Sequence, residues 1–423
     1  MRRQVTITCR FHQTLLVVLA LTCCVVRADD FRNGYHKEIA VTVATRIDSI
    51  YPLANQSPLQ APAGWLDDYD STKQRYELFL PPRYSSRNPS PVVLFISPGK
   101  QPSGLTSFRK ACMKLGVIFV SPYGAGNDCP GPQRVRITLD VLDDVRRRFN
   151  TDVDQTYIGG FSGGGRMACH IGFALPEYFG GVIPVCAAGD LRDESWLRRR
   201  CVDRLSVALV TGERDFNRAE IERFRGPILQ EVGVRTRVWV EPRLGHGLPG
   251  DATATQVLEW LGEAAAARRE LAKTIPATRA PSDRGVDRAD QARQLLAEAE
   301  QRIADNAETY EALMLMKGVL VRWPDLPEAE RAKQTLLRYD AQPEGRWREG
   351  DAAEQRRFLI AQARGLDRYA SGDLAKQYEP QRGGMARAAI QLWRQIIADG
   401  QDQKAVAEAK KRVPELAKIV DDK

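Results

Sequence analysis

The sequence predicts an α/β architecture, a mostly parallel sheet covered by helices, followed by an all-α region. Three observations carry this expectation. Between residues 75 and 268, short apolar runs alternate with longer amphipathic ones, the pattern of strands joined by helical crossovers. The interior runs are continuous Val, Ile, Leu and Phe, as strands buried on both faces require. From residue 289 to residue 423 apolar residues recur at three- and four-residue steps, as in DQARQLLAEAEQRIAD and AAIQLWRQIIAD, which is helical spacing.

The chain begins with Met1-Arg2-Arg3 and then runs through an apolar stretch, Thr14–Val26, to Val26-Arg27-Ala28 and Asp29-Asp30. A positive start, a short apolar centre and small or branched residues before the acidic pair are the layout of an export signal, residues 1–28. The run is too short to cross a hydrocarbon core of about 30 Å as a helix. An uncleaved anchor and a core helix are the rival readings. Cys23 and Cys24 follow Ala20-Leu21-Thr22, which does not match a small-residue lipobox. A secreted or periplasmic protein is therefore expected, with no transmembrane span in the mature chain. Residues 29–74 form a lead-in whose function cannot be read.

The strands expected next are Arg75–Leu80, Val92–Ile96, Val117–Val120, Thr156–Gly160, Val182–Val185, Val207–Thr211 and Arg237–Glu241. Helical patterns such as Thr138–Arg148 and Ala254–Arg268 accompany them, and together they define a domain over 75–268. Residues 269–288, which include KTIPATRAPSDRGVDR, are rich in Pro, Ala and charge without periodicity and read as a linker. Residues 289–423 form the helical domain. There, a gapless offset of 77 residues aligns Ala312-Leu313, Leu315, Val319-Leu320 and Ala332-Lys333 with Ala389-Ile390, Leu392, Ile396-Ile397 and Ala409-Lys410. Arg322–Ala329 is similar to the turn of tetratricopeptide-type helix pairs, but the offset is not a tandem period of about 34 residues. A plain bundle is the alternative, and either could dock a protein partner.

The formal charge of +8 is partly local. Arg2, Arg3, Arg10 and Arg27 lie in the first 28 residues, which hold no acid, so the remainder carries +4. No basic patch with interleaved aromatics is present, which argues against nucleic acid as a partner. Export permits disulfides. The five cysteines after residue 28 are Cys112, Cys129, Cys169, Cys186 and Cys201, an odd number whose pairing cannot be deduced from sequence and whose spacing fits no zinc site.

The residues that carry chemistry begin with Gly160-Phe161-Ser162-Gly163-Gly164, a G-x-S-x-G pattern between an apolar strand and a helix. A nucleophilic serine on this pattern occupies a sharp turn that flanking glycines permit, and the helix amino terminus favours developing negative charge. The serine needs a base, and the chain has four histidines. His12 lies in the export signal, and His36 falls in the lead-in before the sheet. His170 stands eight residues along the helix from Ser162, roughly 12 Å away at 1.5 Å per residue. His246, in a glycine-flanked loop after the last expected strand, is the base. The order of residues in an α/β-hydrolase asks for an acid after Val207–Thr211. Asp215 is favoured and Glu213 is the alternative. An oxyanion hole needs two backbone N–H donors. One is Gly163; the other comes from Ser97-Pro98-Gly99-Lys100, and since proline has no N–H it is Gly99 or Lys100. No phosphate loop, metal-ligand cluster or dinucleotide fingerprint occurs in the sequence, so neither cofactor nor metal is expected.

With these residues in place, YELFLPPRY, VVLFISPG, GVIFVSP and TYIGGFSGGGRMACHIGFALPEYFGGVIPVCA resemble the polyhydroxybutyrate depolymerase family of esterases, which includes feruloyl and acetylxylan esterases. The resemblance covers about residues 75–268 and implies a Ser-Asp-His hydrolase of carboxylic esters, with the roles falling on Ser162, Asp215 and His246. Two departures stand out: Pro98-Gly99 where the family has His-Gly, and Gly163 where it commonly has Asn or Ala. The expected substrate is a small or polymer-borne ester, either a polysaccharide acyl ester or a hydroxyalkanoate ester. An exopeptidase on the same fold is a weaker enzymatic alternative. A binding or scaffold protein whose hydrolase domain no longer turns over is the reading from another class, motivated by the altered Ser97–Lys100 loop and the appended helices.

Overall fold

The computed structural model describes residues 31–49, 51–53, 69–274, 288–304, 309–341 and 346–421, without the side chains of 346–351. The export-signal segment 1–28 and the linker stretch from 275 to 287 lie outside the described residues.

The strands are β1 (Gly34–Ala40), β2 (Arg75–Leu80), β3 (Ser90–Ile96), β4 (Ile118–Pro122), β5 (Thr151–Phe161), β6 (Gly181–Val185), β7 (Ser206–Gly212) and β8 (Arg235–Glu241). They form one eight-stranded sheet in the order β1-β2-β4-β3-β5-β6-β7-β8. β2 runs antiparallel to both β1 and β4, and every other pairing is parallel. β4, β6 and β7 are buried along their whole length, which is why they lack alternation. The seven expected strands all form. β1 is additional, and it makes His36 part of the sheet rather than of a segment before it. Its GYHKEIA sequence hides it: the strand is half-exposed, and its register breaks between His36 and Ile39, with Glu38 at φ 51°. His36 Nε2 donates to the Arg32 carbonyl at 2.6 Å and takes no part in the chemistry described below.

Helices pack both faces. On one face Val93, Phe95 and Val210 meet α1 (Leu105–Leu115) and α6 (Asp251–Glu263). On the other face Val92, Leu94 and Leu209 meet α2 (Gly131–Arg148), α3 (Gly163–Ala174) and α4 (Ser195–Arg204). A short helix, α5 (Gly226–Glu231), precedes β8. The helix expected over Ala254–Arg268 is divided: α6 stops before Ala264, and α7 (Ala265–Thr274) continues beyond Arg268.

The helical region comprises α8 (Arg288–Ala304), α9 (Thr309–Arg322), α10 (Pro327–Asp340), α11 (Arg346–Ser371), α12 (Arg382–Asp399) and α13 (Gln403–Asp421). The residues related by the 77-residue offset fall on α9–α10 and α12–α13, and Ala312, Val319 and Ala332 are buried like Ala389, Ile396 and Ala409. α9 and α11 share the core of the sheet, since Met314, Phe358, Ala361 and Tyr369 belong to the cluster that contains Leu94 and Ile158. A Cβ at Gly318 would stand 2.9 Å from the Trp196 ring. The buried Arg322 guanidinium pairs with Glu177 and lies 3.9 Å from Asp48. Among the described residues, no helix is long and apolar enough to cross a membrane.

Candidate active site

The site is built at the carboxyl ends of β5 and β7. β5 ends at Phe161, and Ser162 turns the chain into α3 with φ 53° and ψ −122°. A non-glycine residue in that region is held by its surroundings rather than by preference. The Ser162 N–H donates to the Val185 carbonyl at 2.9 Å, and the Ser162 carbonyl accepts from the Arg166 N–H at 3.1 Å. The turn is tight enough that a Cβ at Gly160 would overlap the Gly164 carbonyl, and one at Gly164 would overlap the carbonyl of Ile96.

His246 Nε2 lies 3.0 Å from Ser162 Oγ, so a neutral imidazole accepts the hydroxyl proton there. Its Nδ1 donates to Asp215 Oδ1 at 2.8 Å. Asp215 is buried, at 5% exposure, and accepts two further hydrogen bonds: Thr211 Oγ1 to Oδ2 at 2.7 Å and the Asn217 N–H to Oδ1 at 3.1 Å. This donor set fixes the carboxylate's orientation toward the imidazole. Glu213, the alternative acid, points elsewhere: it accepts the Arg243 N–H at 2.7 Å. With the Arg214 N–H donating to the Leu244 carbonyl at 2.8 Å, it ties the histidine loop to the acid loop.

The imidazole is flanked by Phe216, stacked at 4.1 Å between centroids, and by Phe161 at 4.9 Å. Phe216 remains 37% exposed and forms an apolar edge to the site. Beneath the ring Cys186, at φ 51°, directs its thiol to the Gly247 carbonyl at 3.2 Å. Burial pushes this thiol up to about 12, and the Asp215 charge adds to the shift. Among the described residues, Cys186, Asp215 and His246 are the single trio able to offer a metal three ligand atoms, all within 4.8 Å of one another. The protonated thiol and the Asp215–His246 bond make it a poor cation site. Cys112, Cys129, Cys169, Cys186 and Cys201 are all unpaired. His170 is half-buried, and burial followed by the Arg192 charge lowers its pKa, as suits a packed helix residue.

The Gly163 N–H opens α3 beside Ser162. Across from it, the loop Ser97–Lys100 offers the two N–H groups of Gly99 and Lys100. The Gly99 N–H donates to Ser97 Oγ at 3.2 Å, because a serine hydroxyl readily closes a turn onto the backbone two residues on. Lys100 is the alternative donor, which no such bond engages among the described residues. The loop is held by Asn127 N–H to the Pro98 carbonyl and Gly124 N–H to the Lys100 carbonyl, each 2.8 Å, and the buried Arg134 donates to the Ala125 carbonyl at 2.6 Å beneath it.

Sequence reasoning missed Asn127. A Cβ at Gly163 would overlap Asn127 Oδ1 and stand 2.7 Å from its Cγ, so this carboxamide fills the space beside the residue after Ser162. A polar side chain is thus delivered there from residue 127 rather than from residue 163. The glycine at 163, already notable against the resembled family, was the available signal. Asn217, Thr211 and Cys186 were missed too; the one signal was an aspartate two residues before Asn217, whose side chain accepts the Asn217 N–H, and Thr211 and Cys186 gave none.

A twisted, mostly parallel sheet, a strained serine elbow after β5, and acid and histidine loops after β7 and β8 decide the architecture. The fold is that of an α/β-hydrolase. No protein-family model matches the chain, and no curated protein matches it. Among solved structures it is similar to an S-formylglutathione hydrolase (FrmB) from Staphylococcus aureus, at 15% identity over 54% of this chain and 98% of that one, with a TM-score of 0.37. It is also similar to a ferulic acid esterase, at 16% identity over 45% of this chain and 92% of that one, with a TM-score of 0.36. A thermostable esterase shares 19% identity over 45% of this chain, which spans 59% of that protein's length, with a TM-score of 0.33.

Proposed function

We propose that the protein is a serine hydrolase that cleaves carboxylic esters through Ser162, His246 and Asp215. The observation that carries this reading is the continuous hydrogen-bond path from Ser162 Oγ through His246 to Asp215, at 3.0 and 2.8 Å, with the serine on a strained turn at a helix amino terminus. His246 takes the hydroxyl proton as Ser162 attacks the ester carbonyl, and Asp215 stabilises the resulting imidazolium. The N–H groups of Gly163 and Lys100 receive the oxyanion. The imidazolium then protonates the departing alcohol, and a water activated by the same base releases the acid from Ser162.

The exposed edge made by Phe216 suits an apolar or aromatic portion of the ester. Polysaccharide acyl esters and hydroxyalkanoate esters are the substrate classes to screen, and the export-signal layout supports action outside the cytoplasm. One observation favours a second reading, a hydrolase fold retained as a scaffold with tetratricopeptide-like docking helices: the Gly99 N–H is bonded to Ser97 rather than open to an oxyanion.

Labelling of the full chain by a fluorophosphonate probe separates the two. The hydrolase reading expects labelling that is lost in Ser162→Ala and His246→Ala, followed by turnover of acetyl, feruloyl or hydroxybutyryl esters. Folded wild-type protein that takes no label would favour the scaffold.

A further inference from the structure

We propose that Tyr378, in the connection between α11 and α12, is a positioning residue for the catalytic acid, so that the helical region completes the active site. This rests on the serine-hydrolase reading above. Tyr378 donates its hydroxyl proton to Asn217 Oδ1 at 2.6 Å. The other end of the same carboxamide, Asn217 Nδ2, donates to the Cys186 carbonyl at 2.8 Å. The Asn217 N–H donates to Asp215 Oδ1 at 3.1 Å, the oxygen that also receives the His246 Nδ1 proton at 2.8 Å. One phenol thus fixes both the residue that aims the acid and the backbone of the cysteine beneath the histidine loop.

The tyrosine is itself held in place. Arg223, on the segment that follows the acid loop, donates to the Asp373 carbonyl at 2.8 Å. A Cβ at Gly372 would overlap Arg223 Nη1, so the connection lies directly on that guanidinium. Arg382 donates to the carbonyls of Ala370 and Gly372 at 2.5 and 2.7 Å and forks onto Glu379 at 2.7 and 2.8 Å. Below, α11 grips the π-helical turn Glu220–Arg225 and α5. The Phe224 and Tyr369 rings stack at 5.6 Å, and a Cβ at Gly365 would stand 2.9 Å from Ile228. Arg166, the charged group near Tyr378, is engaged by Glu220 through two hydrogen bonds at 2.6 and 2.9 Å. Both ends of the acid loop are therefore governed from the helical region, by Tyr378 at Asn217 and by α11 beyond residue 220.

A structural buttress and a positioning residue give different results on Tyr378→Phe, which keeps the ring and removes one O–H. Tyr378 is partly buried but Asn217 is buried, so the acceptor that loses its donor costs some stability, and the thermal midpoint should fall by a few degrees at most. The experiment measures three quantities on the full chain: p-nitrophenyl acetate kinetics, the thermal midpoint, and the low-field proton resonance of His246 Nδ1, assigned by its absence in His246→Ala. Expected is a fall in kcat of about three- to tenfold with KM changed by less than about twofold, a midpoint lowered by a few degrees at most, and a shifted or broadened resonance. Wild-type kcat and an unmoved resonance would overturn the proposal. So would a lowered midpoint with normal kcat per fluorophosphonate-titrated site, which is the signature of structural support alone. If wild type takes no fluorophosphonate, the hydrolase reading fails separately, and the resonance still decides whether Tyr378 holds the Asp215–His246 pair.

Discussion

Gly163 and Gly164 are adjacent glycines whose replacement by alanine should have opposite consequences. In both, the added methyl overlaps an oxygen: Asn127 Oδ1 for Gly163 and the Ile96 carbonyl for Gly164. The difference lies in what can yield. Asn127 is an exposed side chain, and rotating its carboxamide away costs little beyond its local contacts. The Ile96 carbonyl belongs to the end of β3, which pairs with Gly160 of β5, so it moves only if the nucleophile turn moves with it. Alanine also gains about 1 kcal/mol over glycine inside a helix. Gly163→Ala should therefore lie within about 1 kcal/mol of wild type, whereas Gly164→Ala should lose about 3 kcal/mol, the upper end of overpacking costs. For one cooperative unit that includes the helical region, that is a fall in thermal midpoint of about 3–5 °C. Urea and thermal unfolding of both variants measure this, and Asn127→Ala combined with Gly163→Ala should remove whatever destabilisation the single change brings. Equal destabilisation by the two glycine variants, or a harmless Gly164→Ala, would refute the reasoning.

Two further results are expected. Asp215→Asn leaves the geometry nearly isosteric but presents His246 with the wrong partner, and kcat should fall by about 10³- to 10⁴-fold; Glu213→Gln, which keeps an acceptor for the Arg243 N–H, should stay within about threefold, and steady-state kinetics on one ester compares them. Arg322→Ala leaves Glu177 and Asp48 buried without their guanidinium and should cost about 3–5 kcal/mol, read as a lower midpoint of one shared transition rather than the melting of a separate helical domain.

The parts of the site that sequence revealed are those governed by local chemistry. Ser162 is legible because the turn after a buried strand admits few residues besides glycine around it. His246 emerges by elimination among four histidines. Asp215 and Glu213 both lie after β7, and only the geometry distinguishes an acid bonded to the imidazole from one bonded to the Arg243 N–H. The Gly99 and Lys100 ambiguity had the same origin, since nothing in Ser97-Pro98-Gly99-Lys100 states that the serine closes onto Gly99. Tyr378 was beyond reach for a different reason. Tyr378 meets Asn217 across 161 residues, and such a contact leaves no periodicity, motif or spacing behind. β1 was hidden by an irregular register and an exposed face, which erase the alternation that betrays a strand.

The sharing of core between the sheet and α9 and α11 bears on how the chain is made. During synthesis from the amino end, Trp196, Phe224 and Ile228 emerge long before the residues that cover them, Gly318, Tyr369 and Gly365. Until those residues arrive, the nascent sheet carries an uncovered apolar flank, and Asn217 waits without the Tyr378 hydroxyl that meets it in the folded chain. Ser162, His246 and Asp215 all leave the ribosome before that contact can form, so the surroundings of Asp215 are completed last.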